Sequence, residues 1–169
     1  SSVEYLKEVI EKHPDGKFIV GGHSKGGNLA VYSSAMQDEE YRKKIISVYN
    51  HDGPGFRNDI LALENFKEIA GIVKKTVPQT SIIGMLLQEH GNYSAVQSNS
   101  VGLFQHDPFF WTVEGKSFVH LESTDGISRF TDSTINEWLN NIDDETRKTV
   151  VEALYSGIAA TKSFTFKTF

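Results

Sequence analysis

The sequence predicts an α/β fold with a mostly parallel sheet flanked by helices, and three observations predict it. Short apolar runs alternate with helix-patterned stretches through the first half of the chain, the order that builds βαβ units. One junction, Phe18-Ile19-Val20-Gly21-Gly22-His23-Ser24-Lys25-Gly26-Gly27-Asn28-Leu29-Ala30, passes from strand-like to helix-like within a few residues. The chain has 169 residues, enough for one domain with a real core, since chains near this size bury roughly 70% of their unfolded surface. The expectation is a single α/β domain over residues 1–169.

Each element has its own warrant. Residues 2–12 carry Val3, Leu6 and Ile10 at helical spacing with charges between them, and Ser2 stands where a cap is needed. His13-Pro14-Asp15-Gly16 is a turn signal. Residues 17–21 read as a short buried strand and 28–36 as a helix packing through Leu29, Ala30, Tyr32 and Ala35. A second strand, 45–49, stops near Asp52-Gly53-Pro54-Gly55. A helix over 59–70 and a strand over 72–77 follow. Residues 81–87 are apolar and fit either helix or loop. Strands are expected at 93–97, 110–113 and 117–121. Helices are expected at 131–140 and 144–160, with Asp132 and Asp143 near their starts.

Composition removes several function classes. The net charge of −5 comes with no basic patch, which argues against nucleic acid or an anionic membrane surface as partner. There is no cysteine, so a disulfide framework, a thiolate metal site and a cysteine nucleophile are excluded. That fits a cytoplasmic location. No apolar run approaches the ~20 residues of a membrane span, and the opening residues carry no signal-peptide pattern. The chain opens inside a predicted helix, so its natural start is expected upstream.

The chemistry concentrates at Ser24. Gly22-His23-Ser24-Lys25-Gly26 fits the G-x-S-x-G nucleophile elbow. At such a turn the serine sits in strained backbone and points outward, and Gly22 and Gly26 are small because strand and helix crowd there. The helix that follows aims its N-terminus at the serine, and the Lys25 backbone N–H is placed to donate to an oxyanion. A glycine-rich turn with an incidental serine is the plain alternative. A phosphate loop needs Gly-Lys-Ser/Thr in that order, whereas Ser24-Lys25-Gly26 runs the other way.

A serine hydroxyl needs a base to take its proton and a carboxylate to orient that base. In the elbow enzymes the chain order is Ser, Asp or Glu, His. His51, His90, His106 and His120 follow Ser24. His106 lies well downstream in Gly102-Leu103-Phe104-Gln105-His106-Asp107-Pro108, a loop between predicted strands, and is the expected base. His23 is set aside because it should point away from its neighbour. His90 reads as a surface loop residue and His120 as structural. Asp52 is the expected acid, because it closes a strand at its C-terminal end, where ligands meet parallel sheets. Aspartate is also common in turns of this composition. Glu89 and Asp107 are the reserves. No metal or organic cofactor is needed.

The segments "GGHSKGGNLAVY", "YNHDGPGF", "VPQTSIIGMLL" and "GLFQHDPFFWTV" resemble a bacterial Mbeg-like family of α/β-hydrolase-like proteins, itself distantly similar to class 3 lipases. The resemblance spans residues 3–154. It implies the C-terminal portion of an α/β-hydrolase fold and esterase or lipase chemistry on an acyl- or lipid-like ester. Class 3 lipases carry their acid in an Asp-x-Val-Pro stretch. Here that place reads Lys75-Thr76-Val77-Pro78, so the resemblance implies that the acid has either moved to Asp52, at the end of the preceding strand, or is missing. In that fold the elbow strand is central, with its second neighbour and a second oxyanion donor supplied from sequence before the elbow. This chain offers one helix there, which implies either a homo-oligomer covering the open edge or a missing N-terminal segment. The competing function is a non-catalytic binding or interaction module on a hydrolase scaffold. The cluster Phe109, Phe110 and Trp111 fits an acyl pocket, an interface or ordinary core packing.

Overall fold

The structure, a computed structural model, describes residues 1–81, 83–84 and 93–122, and beyond these 138, 141–143, 145–146, 148–150, 152–153 and 156–157. The chain divides into two compact units, Ser1–Ser133 and Thr134–Phe169.

The first unit opens with α1 (Ser2–Lys12). Its cap is Ser1 rather than Ser2: the Ser1 side chain accepts from the Glu4 N–H and Glu4 reaches back to the chain start, a reciprocal capping box. β1 (Phe18–His23) runs two residues past its predicted end, and α2 (Lys25–Ala35) begins three residues before its predicted start. One residue, Ser24, separates them. A short α3 (Glu39–Arg42), not expected from the sequence, precedes β2 (Ile45–His51). The helix predicted over 59–70 is broken into α4 (Asn58–Leu61) and α5 (Glu64–Ile69), with a 3-10 turn over Ala70–Ile72. β3 (Val73–Pro78) and β4 (Tyr93–Val96) follow.

The predicted strand at 110–113 is corrected. A 3-10 turn covers Pro108–Phe110, Trp111 makes a lone bridge to Ser98, and only Val113–Glu114 (β5) is strand, paired with Ser117–Phe118 (β6) in a small hairpin. Pro108 at the first position of that turn sets its backbone for a helical turn. β7 (His120–Leu121) runs antiparallel on β4.

The main sheet has the order β1-β2-β3-β4-β7, and β1 to β4 are all parallel. It is a mixed α/β structure with a mostly parallel central sheet flanked by helices. The core gathers Leu6 and Ile10 of α1, Ala30, Val31 and Ala35 of α2, Phe66 and Ile69 of α5, and Ile45 and Val48 of β2. β1 lies at the sheet edge and, among the described residues, pairs with β2 alone. Ile10 is fully buried. Ile10→Ala is expected to destabilise the fold by about 2–5 kcal/mol, read as a lower urea midpoint with an unchanged slope.

In the second unit, the described residues of the predicted helix over 144–160 are helical. Asp143 caps it, its Oδ1 accepting from the Thr146 N–H at 2.8 Å and its Oδ2 from the Thr146 hydroxyl at 2.9 Å. Those two bonds hold the Asp143 carboxyl below its usual range. Asp132 and most of 131–140 lie outside the described residues. So do most of 81–87, of which Ser81, Ile83 and Gly84 are described and not helical.

Candidate active site

The site is built from three segments that follow the C-terminal ends of β1, β2 and β4. At the first, Ser24 has φ 59° and ψ −130°, a region that side-chain-bearing residues rarely occupy and that carries about 1–3 kcal/mol of strain. The surroundings hold it there. The Ser24 N–H donates to the His51 carbonyl at 2.9 Å, and the Ser24 carbonyl accepts from the Gly27 N–H at 2.9 Å and the Asn28 N–H at 3.2 Å. A Cβ at Gly22 would overlap the Gly26 backbone, so the glycine before the serine is required. The expected crowding at Gly26 is not found: a Cβ there meets nothing within 4 Å. The tight place is one residue later, at Gly27, where the first turn of α2 presses on Asn50 Oδ1 of β2.

The second segment carries Asp52, again with positive φ, 50°, which aspartate tolerates better than most residues. Its N–H donates to the Thr76 carbonyl at 2.7 Å. Asn50 Oδ1 accepts from the Gly53 N–H at 2.9 Å, and Asn28 Nδ2 donates to the carbonyls of Pro54 and Gly55 at 3.1 Å each. The loop after β2 is thereby tied to the elbow helix.

His106 closes a 3-10 turn over Gly102–His106, where the sequence suggested an irregular loop. Its ring joins the other two residues. Nε2 lies 2.8 Å from Ser24 Oγ and Nδ1 lies 2.7 Å from Asp52 Oδ2. A carboxylate only accepts, so Nδ1 carries the proton, and Nε2 is left to accept from the Ser24 hydroxyl. His106 is 4% exposed and Asp52 1%, so the bond between them is screened from water, while the bond to the half-buried Ser24 is partly so. Ser24, His106 and Asp52, picked from the sequence, are therefore brought into one hydrogen-bonded line. The Lys25 N–H opens the first turn of α2 beside Ser24, where helix N–H groups lack intrahelical acceptors.

The reserve acids stand differently. Asp107 turns from the ring and caps the next 3-10 turn, accepting from the Phe109 N–H at 3.0 Å. Glu89 lies outside the described residues, as does His90. His120 Nδ1 lies 3.0 Å from Ser94 Oγ. His51 sits among Tyr49, Trp111 and Phe118, and burial pushes its pKa below the ordinary value.

Six supporting residues were not found from the sequence: Ser81, Gly84, Lys75, Gln105, Trp111 and His23. Ser81 donates its hydroxyl to Asp52 Oδ1 at 2.5 Å and accepts from the Gly84 N–H at 3.0 Å. A Cβ at Gly84 would collide with Asp52 Oδ1. The buried Lys75 ammonium donates to the Gly84 carbonyl. Lys75 thus braces the turn that holds Asp52. On the other side, Gln105 is buried, its Oε1 accepting from the Thr80 N–H at 2.9 Å and its carbonyl from Trp111 Nε1 at 2.8 Å. His23 Nε2 donates to the His106 carbonyl at 2.6 Å, with the two rings 4.6 Å apart. His23 had a visible signal, its place next to the serine. Ser81, Gln105 and Trp111 had none, because their partners are 25 or more residues away or are backbone atoms.

The family decides what kind of chain this is. Residues 1–156 match the family described as Mbeg1-like. The chain belongs to the Mbeg1-like family. No curated protein and no solved structure matches it.

In this Mbeg1-like chain exposed apolar residues flank His106 along the chain. Val101, Leu103, Phe104, Phe109 and Phe110 are 75%, 52%, 62%, 89% and 42% exposed, all within five residues of His106. The aromatic cluster is split: Trp111 is buried, while Phe109 and Phe110 face outward. Among the described residues no helix is long and apolar enough to cross a membrane, and no group of three or more His, Asp or Glu could hold a metal ion.

Proposed function

We propose that this Mbeg1-like chain is a serine hydrolase of the α/β-hydrolase type that cleaves carboxylic esters with an apolar acyl group. The observation that carries the reading is the line from Ser24 Oγ through His106 to Asp52, at 2.8 and 2.7 Å, with the serine held at positive φ between a strand and a helix. The order Ser, Asp, His along the chain is the order of that enzyme class. In this reading Ser24 Oγ attacks the ester carbonyl as His106 Nε2 takes its proton. The oxyanion is met by the Lys25 N–H. The tetrahedral intermediate then expels the alcohol, which receives the proton from Nε2. Water, deprotonated by Nε2, attacks the acyl-serine, and the acid and Ser24 are released. Asp52 keeps the ring in the right tautomer and stabilises the imidazolium.

The exposed apolar residues beside His106 favour an aliphatic acyl group over a polar one. p-Nitrophenyl esters from acetate to decanoate test this. Each methylene contributes up to about 0.8 kcal/mol when buried, so kcat/KM is expected to rise about two- to fourfold per CH₂. No turnover above the buffer rate for any ester would contradict the reading.

His23 has a distinct part in it. Because a carbonyl only accepts, Nε2 of His23 carries a proton and pins the backbone of the base. His23→Phe keeps the ring contact and removes the bond. A net hydrogen bond contributes about 0.5–1.5 kcal/mol, so kcat is expected to fall about two- to tenfold with KM little changed. An unchanged kcat would remove His23 from the mechanism.

A further inference from the structure

We propose that the cavity on the far face of the sheet binds a small organic oxyanion, with an anionic head between Lys74 and Lys116 and a flat apolar body against aromatic side chains. This goes beyond the hydrolase reading and does not depend on it.

Strand alternation separates the two faces. On β2, Val48 and Asn50 face α2, Val48 within its core and Asn50 against Gly27. Tyr49 and His51 therefore face the other way. Their parallel partners Lys74 and Thr76, and then Ser94 of β4, continue that opposite face. There they line a cavity of about 760 Å³ roofed by the β5–β6 hairpin, within the ~300–1,000 Å³ range of small-molecule sites.

Its composition departs from the rest of the chain. The chain has 22 acidic against 17 basic residues, yet no Asp or Glu lines this cavity, while Lys74 and Lys116 do. Among the described residues no carboxylate lies within 4 Å of either ammonium. Lys74 Nζ donates to the Tyr49 hydroxyl at 3.3 Å and stands 5.1 Å from the centre of that ring. One of its three N–H groups is thereby used and the others are available to a ligand. The phenols of Tyr49 and Tyr93 and the ring of Phe118 supply flat apolar walls. Positive charge at the rim of an aromatic cleft suits a compound with one anionic end and one planar end. A solvated polar sheet face would instead interleave both signs of charge, as the helices of this chain do with their Lys–Glu pairs.

The test uses 2-naphthyl phosphate and its neutral counterpart 2-naphthol, each titrated calorimetrically into the full chain at low salt. The phosphate is expected to bind about tenfold tighter than the naphthol and to weaken as salt is raised. Lys74→Met with Lys116→Met is expected to weaken the phosphate about tenfold, since exposed ion pairs contribute modestly. Both lysines are exposed, so the double variant should keep its circular dichroism and thermal midpoint. Each single variant should fall between it and wild type. Ser24→Ala should bind the phosphate as wild type does. No binding of the phosphate, equal binding of phosphate and naphthol, or undiminished binding in the double lysine variant would each overturn the proposal. So would loss of binding in Ser24→Ala, which would place the probe at the elbow.

Discussion

Ser24→Ala is expected to lower ester turnover by about 10³-fold or more, to near the uncatalysed rate, because the attacking atom itself is removed. The fold should survive the change. Ser24 Oγ has one hydrogen bond in the structure, to His106 Nε2, and losing it costs about 1 kcal/mol. The backbone bonds that hold the apex, to His51, Gly27 and Asn28, do not involve the side chain. Steady-state hydrolysis of a p-nitrophenyl ester beside a circular dichroism spectrum gives the answer. A folded alanine variant with wild-type turnover would mean that the elbow is only a turn.

Asp52→Asn is expected to lower kcat by about 10⁴-fold with a small change in KM. Asparagine tolerates the φ of 50° at this position, and its amide oxygen can still accept from Ser81. Its amide nitrogen then faces His106 Nδ1, where the carboxylate stood. An amide N–H donates, so the ring is driven to carry its proton on Nε2, where it cannot take the serine proton. Ser81→Ala removes one of the bonds to the carboxylate and leaves the tautomer right, so its effect should be far smaller, about tenfold at most. Equal losses in the two variants would show that geometry, and not the tautomer, is what Asp52 supplies.

The sheet and the elbow were legible because they rest on local pattern. The run from Phe18 to His23, the glycines and the helix pattern after Ser24 sit in one short window, and the alternation of strands and helices implies parallel pairing. Chain order then pointed to His106 and Asp52, which the structure brings within hydrogen-bond reach of Ser24 and of each other. What was missed is non-local or turn-borne. The broken helix over 58–69 keeps an apolar pattern through two short helices, so periodicity alone joined them. At the strand expected over 110–113, Pro108 and the Asp107 cap instead set a 3-10 turn over Pro108–Phe110. Gly26 was credited with a packing role that belongs to Gly27, a difference of one helical residue in which way a Cα faces. The bracing of Asp52 by Ser81, Gly84 and Lys75 could not be read at all, since it exists only once β2 and β3 lie side by side.

Covalent labelling reads out whether Ser24 is an activated nucleophile. The purified chain is treated with a fluorophosphonate and the adduct is located by intact mass and peptide mapping. A single adduct is expected on Ser24, and it should disappear in His106→Ala, since an unactivated serine does not react. No adduct on the wild-type chain, or an adduct on Ser24 that persists undiminished without His106, would contradict that role for Ser24.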